Sequence, residues 1–233
     1  MKVLVACEES QAVTKEFRAL GHEAYSCDIL DCSGGCPQWH IKNDVLSVLN
    51  GNCQFVTMDG QWHLVSKWDM IIAFPPCTYL TNAGTRQFSL KCNSVEKVAQ
   101  RTDKRLHAAE FFMKIVNADC KKIAIENPVG YMNSAYRKPD QIIQPYFFAD
   151  SIYDCDNYVQ KRTCLWLKGL PRLKYSDSIP KPQPLKIRQC NDGQIKKITW
   201  CESVSCKGGQ AERARIRSKT FPGVAHAMAI QWA

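Results

Sequence analysis

The sequence predicts an α/β protein of the Rossmann-like type, with a mostly parallel sheet and a small irregular insertion toward the C-terminus. Short apolar runs typical of buried strands alternate with amphipathic segments through the first two-thirds of the chain, and this alternation is typical of a parallel sheet. The length of 233 residues suits one domain with at most a small appendage. We therefore expect residues 1–233 to form a single domain.

The first elements form a strand–helix–strand unit. Lys2–Ala6 is an apolar run that predicts a core strand. Ser10 is a suitable cap for a helix over Gln11–Leu20, and Gly21 is a suitable residue to end it. Glu23–Asp28 then predicts the second strand.

The next segment predicts a short helix, a hairpin and a buried strand. Asp44–Leu49 has the pattern of a short helix. Gln54–Met58 and Gln61–Val65 flank Asp59-Gly60, which is a strong hairpin signal. Met70–Phe74 is apolar throughout and predicts a strand buried on both faces.

The second half of the chain predicts further elements around an irregular region. Residues 171–210 are rich in Pro, Lys and polar residues, which indicates a loop or small subdomain. The remaining predicted elements are helices at Lys104–Asn117, Ala211–Ser218 and Val224–Trp232 and strands at Lys122–Glu126 and Thr163–Leu167.

Composition excludes several classes of protein. No run approaches the roughly 18 apolar residues of a membrane span. The apolar run at the start of the sequence is too short, and a charged residue comes too early in it, for a secretory signal. The thirteen cysteines are scattered and odd in number, which is typical of a reduced, cytoplasmic protein. The net charge of +9 is consistent with a polyanionic partner.

Two groups of residues have loosely metal-like spacing. Neither supplies the four clear ligands of a structural zinc site, so we expect no metal. The groups are Cys32, Cys36 and His40, and Cys190, Cys201 and Cys206.

The most informative stretch is Phe74-Pro75-Pro76-Cys77, which directly follows a predicted buried strand. Neither proline can donate to a sheet, so the strand must end in a stiff loop. Ligands bind at the C-terminal ends of strands in open α/β sheets. The sequence therefore predicts a thiol nucleophile, Cys77, on a rigid platform.

Two carboxyl groups follow other predicted strands of the same sheet. Asp28 ends the second strand, where an acidic residue can bind both hydroxyls of a ribose. Glu126 ends the strand Lys122–Glu126, and a carboxyl group beside a nucleophile can bind the edge of a ring and hold a proton. Together with Cys77 these groups predict a site at one edge of the sheet.

An ordered set of motifs resembles the DNA cytosine-5 methyltransferase family, and most closely its short phage and prophage members. The motifs are Asn43-Asp44-Val45, Phe74-Pro75-Pro76-Cys77, Glu126-Asn127-Pro128, Gln160-Lys161-Arg162 and Phe221-Pro222-Gly223. The resemblance extends over nearly the whole chain. It implies an S-adenosylmethionine-dependent methyltransferase domain that acts in the cytoplasm, that of a bacterial host if a phage encodes it.

The resemblance also implies a mechanism. Cys77 would add to C6 of cytosine and make C5 reactive, while Glu126, with a raised pKa, would donate a hydrogen bond to N3. Arg162 would hold Glu126 or the base. Methylation of C5 and release of the thiol would follow.

The resemblance assigns binding roles to further residues. Asp28 would bind the ribose of S-adenosylmethionine and Asp44 its adenine. The other expected cofactor contacts are Glu8, Ser10 and Pro75. The expected substrate contacts are Pro76, Asn127, Lys161, Arg213 and Arg217, the last two lying one helical turn apart.

The chain departs from the family in the size of its recognition region. Only about sixty residues, Leu165 to Phe221, lie where the family carries a long target-recognition segment. Residues 171–210 are therefore expected to be a reduced recognition loop. DNA is the expected partner. The alternatives are the same chemistry on RNA or a free pyrimidine nucleotide, and a catalytically silent nucleic-acid-binding protein of the same fold.

Overall fold

A seven-stranded, mostly parallel sheet forms the centre of the molecule in a computed structural model that describes residues 1–189, 193–198, 200–204 and 209–233. Its strands are β1 (Lys2–Ala6), β2 (Glu23–Asp28), β3 (His40–Lys42), β6 (Met70–Ala73), β7 (Ile123–Pro128), β8 (Gln141–Ile143) and β9 (Thr163–Lys168). Two antiparallel hairpins stand apart from it: β4 (Cys53–Val56) with β5 (Trp62–Val65), and β10 (Lys186–Gln189) with β11 (Ile195–Ile198).

The order of the strands is β3-β2-β1-β6-β7-β9-β8. β1 pairs in parallel with both β2 and β6, and β6 pairs in parallel with β7. β9 is antiparallel to both of its neighbours, so it is the one reversed strand of this sheet. The architecture is therefore α/β, as predicted, and is compatible with a Rossmann-like fold.

Helices cover both faces of the sheet. The helices are α1 (Ala12–Ala19), α2 (Val95–Val116), α3 (Met132–Ala135), α4 (Trp200–Ser203), α5 (Gly209–Ser218) and α6 (Pro222–Trp232). Phe17 of α1 and Met228 of α6 are buried against Val5 on one face, while Phe112 of α2 packs with Leu4 on the other. The β4–β5 hairpin adds its inward side chains to the second layer, which burial of apolar area stabilises.

Several predicted boundaries are corrected. Asp44–Leu49 is not a helix but a single 3-10 turn over Val45–Ser47. The helix expected at Lys104–Asn117 begins at Val95, because Ser94 caps it by accepting a hydrogen bond from the Lys97 N–H.

The cap of α1 is also different from the prediction. Gln11, not Ser10, is at the cap position, with a left-handed φ of 58° and no capping side-chain bond of its own. The Glu8 carboxylate takes over that function by accepting the Val13 N–H at 2.7 Å and the Thr14 N–H at 3.3 Å.

Other elements lay outside the sequence predictions. β3 and β8 are edge strands of three residues each, too short to give a clear pattern. The β10–β11 hairpin falls within the region expected to be irregular. Among the helices that the structure describes, none combines the length and apolar character needed to cross a membrane.

Candidate active site

The loop that carries Cys77 is fixed to two neighbouring strands. The Phe74 N–H donates to the Ala6 carbonyl oxygen at 2.9 Å, and the Asn127 side-chain amide donates to the Pro75 carbonyl oxygen at 2.8 Å. Asn127 is only 1% exposed. Its amide N–H therefore holds the loop that carries Cys77, while its buried Oδ1 has no hydrogen-bond partner among the described residues. The expected contact of Asn127 with substrate stays a prediction.

Pro75, Pro76 and Cys77 differ in exposure. Pro75 is buried, Pro76 is exposed and Cys77 is partly exposed. The Leu80 and Thr81 N–H groups both donate to the Cys77 carbonyl oxygen at 3.0 Å. These bonds form a tight turn directly after the thiol, as expected of a stiff platform.

Glu126 lies beside the beginning of the reversed strand β9. Because β9 runs antiparallel to β7, its first residues lie next to the carboxyl end of β7. Lys161 and Thr163 therefore reach the same edge of the sheet as Glu126, and all three line one cleft.

The charges around Cys77 act in opposite directions. Burial raises the pKa of the Cys77 thiol, and the Glu126 carboxylate raises it further, whereas the cations of Lys161 and Arg217 lower it. Burial also raises the pKa of Glu126, against smaller lowering effects of Lys161 and the Thr163 hydroxyl. The structure thus brings together a thiol, a proton-holding carboxyl group and two cations.

Arg162 is not part of this group. It is exposed, and its charge acts on Cys164, on the other face of β9. Lys161 and Thr163 line the cleft, and Arg162 is not among its lining residues. Arg162 was predicted to hold Glu126 or the base. The cation that acts on Glu126 is Lys161, and a contact between Arg162 and the base stays a prediction.

The cleft between Glu126 and the start of α6 is narrow. Its cavity volume is about 20 Å³, enough for a water molecule. The Lys161 ammonium lies 5.6 Å from the centre of the Phe221 ring and closes one side. The lining residues are Phe74, Glu126, Ile143, Pro145, Lys161, Thr163, Ser218, Thr220, Phe221 and Val224. Cys77 is not among these lining residues.

Helix α5 places basic side chains over this edge of the sheet. Arg217 is partly buried and close enough to Cys77 to lower its pKa, so its predicted place near the substrate fits the geometry. Arg213, one turn earlier, is also partly buried. Arg215, between them, forms two hydrogen bonds of 2.8 Å with Glu212.

A second cluster lies at the ends of β1 and β2. Asp28 accepts a hydrogen bond from the Leu30 N–H at 2.9 Å, and the neighbouring Ile29 side chain is 71% exposed. Asp44 is exposed and accepts a hydrogen bond from the Leu46 N–H. Burial, then the charges of Asp28 and Asp44, raise the pKa of Cys7. Both predicted cofactor carboxylates are therefore close to the end of β1.

Glu8 and Glu9 have different environments. Glu8 is 3% exposed, and its carboxylate also accepts the Thr14 hydroxyl at 2.7 Å. Burial raises its pKa to about 7. Its expected contact with a cofactor is not supported, since this carboxylate serves the start of α1. Ser10 is partly buried beside it in sequence.

Glu9 is the carboxylate without such partners. Both of its oxygens are buried, and neither has a hydrogen-bond partner among the residues that the structure describes. Burial is the main cause of the raised pKa of Asp28, and the charge of Glu9 adds to it. The charge of Glu9 also raises the pKa of Arg215 on α5, so a cation is already close enough to act on this carboxylate, while its oxygens remain without hydrogen bonds.

His40, one of the candidate metal residues, has other partners for both ring nitrogens. His40 is buried, with Nδ1 at 2.8 Å from the Ser26 hydroxyl and Nε2 at 2.9 Å from the Leu30 carbonyl oxygen. Within the described part of the chain, no cluster of three metal-ligating residues is found. Cys190 and Cys206 lie outside the described residues, as does the side chain of Cys201.

Glu9 was expected, with Glu8 and Ser10, beside the methionine part of the cofactor, and the structure singles it out by its unpartnered oxygens. Two residues that line the cleft were not assigned to the site from the sequence: Thr163 and Phe221. Period-two alternation from Lys161 would have indicated Thr163, whereas Phe221 was noted only as part of a motif and its place in the cleft depends on tertiary packing. The chain matches no protein-family model and no curated protein. The case for its function therefore rests on the motifs and on this geometry.

Proposed function

We propose that this chain is an S-adenosylmethionine-dependent methyltransferase that methylates C5 of cytosine in DNA through a covalent bond between Cys77 and the base. The observation that carries the proposal is the group around Cys77: a thiol on a fixed loop, Glu126 with a raised pKa, and the cations of Lys161 and Arg217. Nucleophilic catalysis by a thiol needs these components.

The residues divide the chemistry among them. Cys77 loses its proton to solvent, and the cations of Lys161 and Arg217 stabilise the thiolate. The thiolate forms a bond to C6 of the base, and the electron pair of the C5–C6 double bond moves toward C5 and the ring. Glu126, protonated because of its raised pKa, donates a hydrogen bond to N3 as negative charge develops there.

The later steps restore the enzyme. S-adenosylmethionine, when bound, supplies an electrophilic methyl group for C5. Loss of the C5 proton to a base then returns an electron pair to the ring, the C6–sulfur bond breaks, and Cys77 leaves as the thiolate. Ring aromaticity is recovered in this last step.

The residues at the ends of β1 and β2 fit the cofactor. Asp28 is placed for the ribose hydroxyls, and the exposed Ile29 offers an apolar surface for the adenine. Asp44 is available for the exocyclic amine. The unpaired buried carboxylate of Glu9, rather than that of Glu8, is suited to the ammonium group of the methionine part.

Methyl transfer to a 5-fluorocytosine base in the presence of S-adenosylmethionine tests the proposal. Fluorine cannot leave as a proton does, so the covalent complex should persist in denaturant and be visible by intact-mass spectrometry. Cys77→Ala should abolish the complex. Cys7→Ala is the matched control, since Cys7 also follows a parallel strand of the sheet, and it should retain the complex.

Parallel substrates separate the alternatives. We expect the complex with duplex or single-stranded DNA. A complex with 5-fluoro-dCMP or RNA but not with DNA would assign the same chemistry to another pyrimidine substrate. Nucleic-acid binding with neither a complex nor labelled methyl transfer would contradict the proposal and indicate a silent binding protein.

A further inference from the structure

Helix α2 has a stripe of basic residues that take no part in the proposed reaction. Lys97, Arg101, Lys104 and Arg105 are spaced so that they share one face of the helix. We call these four residues the α2 stripe.

The α2 stripe carries unpaired charge. The acidic residues Asp103 and Glu110 form pairs with His107 and Lys114, on another face of α2. No ion pair of the α2 stripe is found in the described part of the chain. Lys97 and Lys104 are exposed, so their ammonium groups are accessible to a ligand.

The α2 stripe is joined to the nucleophile loop. Arg101 donates to the Thr78 carbonyl oxygen at 3.4 Å and Arg105 to the Tyr79 carbonyl oxygen at 3.0 Å. These are the two residues that directly follow Cys77. The stripe therefore begins beside the turn that carries the reactive thiol.

Aromatic rings hold the two guanidinium groups in position. The Arg101 group lies 5.1 Å from the centre of the Tyr79 ring and 5.0 Å from that of Phe88. The Arg105 group stacks at 3.2 Å on Phe88 and lies 4.9 Å from Tyr131. A guanidinium fixed by stacking loses little entropy when it binds a ligand.

We propose that the α2 stripe binds the sugar-phosphate backbone of the DNA strand whose base reaches Cys77. From Lys97 to Arg105 the helix rises about 12 Å, and successive phosphates of one strand lie about 3.4 Å apart along the duplex axis. The stripe thus matches the span of about four consecutive phosphates. It is separate from the basic side chains of α5.

This inference rests on the proposed function for the identity of the polyanion. Charge complementarity and the direct bonds to Thr78 and Tyr79 favour the strand that enters the catalytic cleft. Flipping a base out of the duplex costs free energy, and contacts to the backbone of the same strand beside the turn after Cys77 would offset part of that cost.

The test compares two double charge reversals of equal size. Lys97→Glu with Lys104→Glu changes the exposed lysines of the stripe and leaves both arginines in place. Lys15→Glu with Lys121→Glu changes two exposed lysines elsewhere and serves as the control. Fluorescence anisotropy with a labelled oligonucleotide, from about 50 to about 200 mM NaCl, gives the affinity and its salt dependence.

We expect the stripe variant to bind duplex DNA at least about tenfold more weakly, with a salt slope smaller by about two. The control should keep the wild-type slope. Equal loss in both variants would show that only net charge matters and would overturn the inference. A single-stranded DNA arm and an RNA arm show whether the stripe discriminates between strands of equal charge.

Failure of the stripe and failure of the proposed function give different results. If wild-type protein forms the Cys77 complex with 5-fluorocytosine DNA and the stripe variant binds normally, only the stripe is refuted. If the stripe variant loses affinity and salt slope while wild-type protein forms no complex, the surface is supported and the chemistry is refuted. Thermal melts of both variants confirm that they are folded.

Discussion

Two cysteines lie at the carboxyl edge of the same sheet, and their surroundings are opposite in charge. Cys7 follows β1 and has the carboxylates of Asp28 and Asp44 nearby, which add to the effect of burial on its pKa. Cys77 follows the adjacent strand β6, where the cations of Lys161 and Arg217 oppose the effects of burial and Glu126. A strand end therefore presents a thiol but does not activate it; the neighbouring charges decide which thiol can react.

The same difference in charge is the basis for the different roles that we propose for the two halves of the edge. The half around Cys7 carries unpaired negative charge, with Glu9 buried and Asp44 exposed, and suits a cationic ligand. The half around Cys77 combines an acid with cations and suits bond formation to an electron-poor ring. Substitutions in one half should leave the property measured in the other unchanged.

The largest expected effect is at Glu126. Glu126→Gln should lower the rate of methyl transfer by about 10²- to 10⁴-fold, because an amide N–H is a far weaker acid than a carboxyl O–H and stabilises the charge that develops on N3 much less. Cofactor affinity, measured by calorimetry, should not change. Glu23→Gln, at the far end of β2, is the matched control with full activity. Weaker cofactor binding with an unchanged rate of methyl transfer in Glu126→Gln would contradict the proposed roles of the two halves.

The next effect is at Asp28. Asp28→Asn should weaken cofactor binding by about 1–3 kcal/mol, the cost of losing a charge-assisted hydrogen bond. The rate of alkylation of Cys77 should stay the same. Because burial raises the pKa of Asp28, wild-type affinity should fall on acidification at a higher pH than an ordinary aspartate would give. Unchanged affinity and an unchanged pH profile in the variant would remove Asp28 from the cofactor site.

The smallest effect is at Lys161. Removing a cation that lowers the pKa of Cys77 raises that pKa, so Lys161→Met should move the alkylation profile of Cys77 to higher pH. At a fixed pH below the pKa, the rate should drop by up to about tenfold, equivalent to one pKa unit. Peptide mass spectrometry follows Cys77 and the exposed Cys92 together. Lys168→Met, at the other end of β9, is the control.

A shift of the Lys161→Met profile to lower pH, or an equal shift in Lys168→Met, would show that the charge at the beginning of β9 does not act on the thiol. The comparison between Cys7 and Cys77 would then rest on the acidic half alone.

The fold and the reactive strand ends could be predicted because their signals are local. Apolar runs predicted the strands β1, β2, β6 and β7. Parallel pairing brings the residues that follow these strands to one edge of the sheet. Asp28, Cys77 and Glu126 follow from that pattern alone. Their proximity needed no knowledge of the connecting segments.

The errors arose where the position of a residue depends on direction or on capping. Arg162 was expected to hold Glu126 or the base and Lys161 to contact the substrate, but the cation that acts on Glu126 is Lys161. Glu8 was assigned to a ligand because its bonds to the start of α1 depend on the left-handed turn at Gln11. The sequence prediction missed the first half of α2, because this half is polar and shows no apolar residues at helical spacing.

The reversed strand β9 also determines how the rest of the chain is connected. β9 leads away from the cleft over six residues, and the chain must return to place Phe221 beside Lys161. About six extended residues would span that distance, whereas the chain uses residues 169–220. Its first part is pinned, since Trp232 donates to the Pro171 carbonyl oxygen and Leu173 is buried.

The stretch from residue 176 to the start of α5 is much longer than the distance between its ends requires. The stretch is also attached at two points near the cleft, since the Gln160 side chain donates to the Pro182 carbonyl oxygen and the Trp200 ring lies 5.1 Å from that of Phe221. Changes of length during evolution are therefore expected between these attachment points.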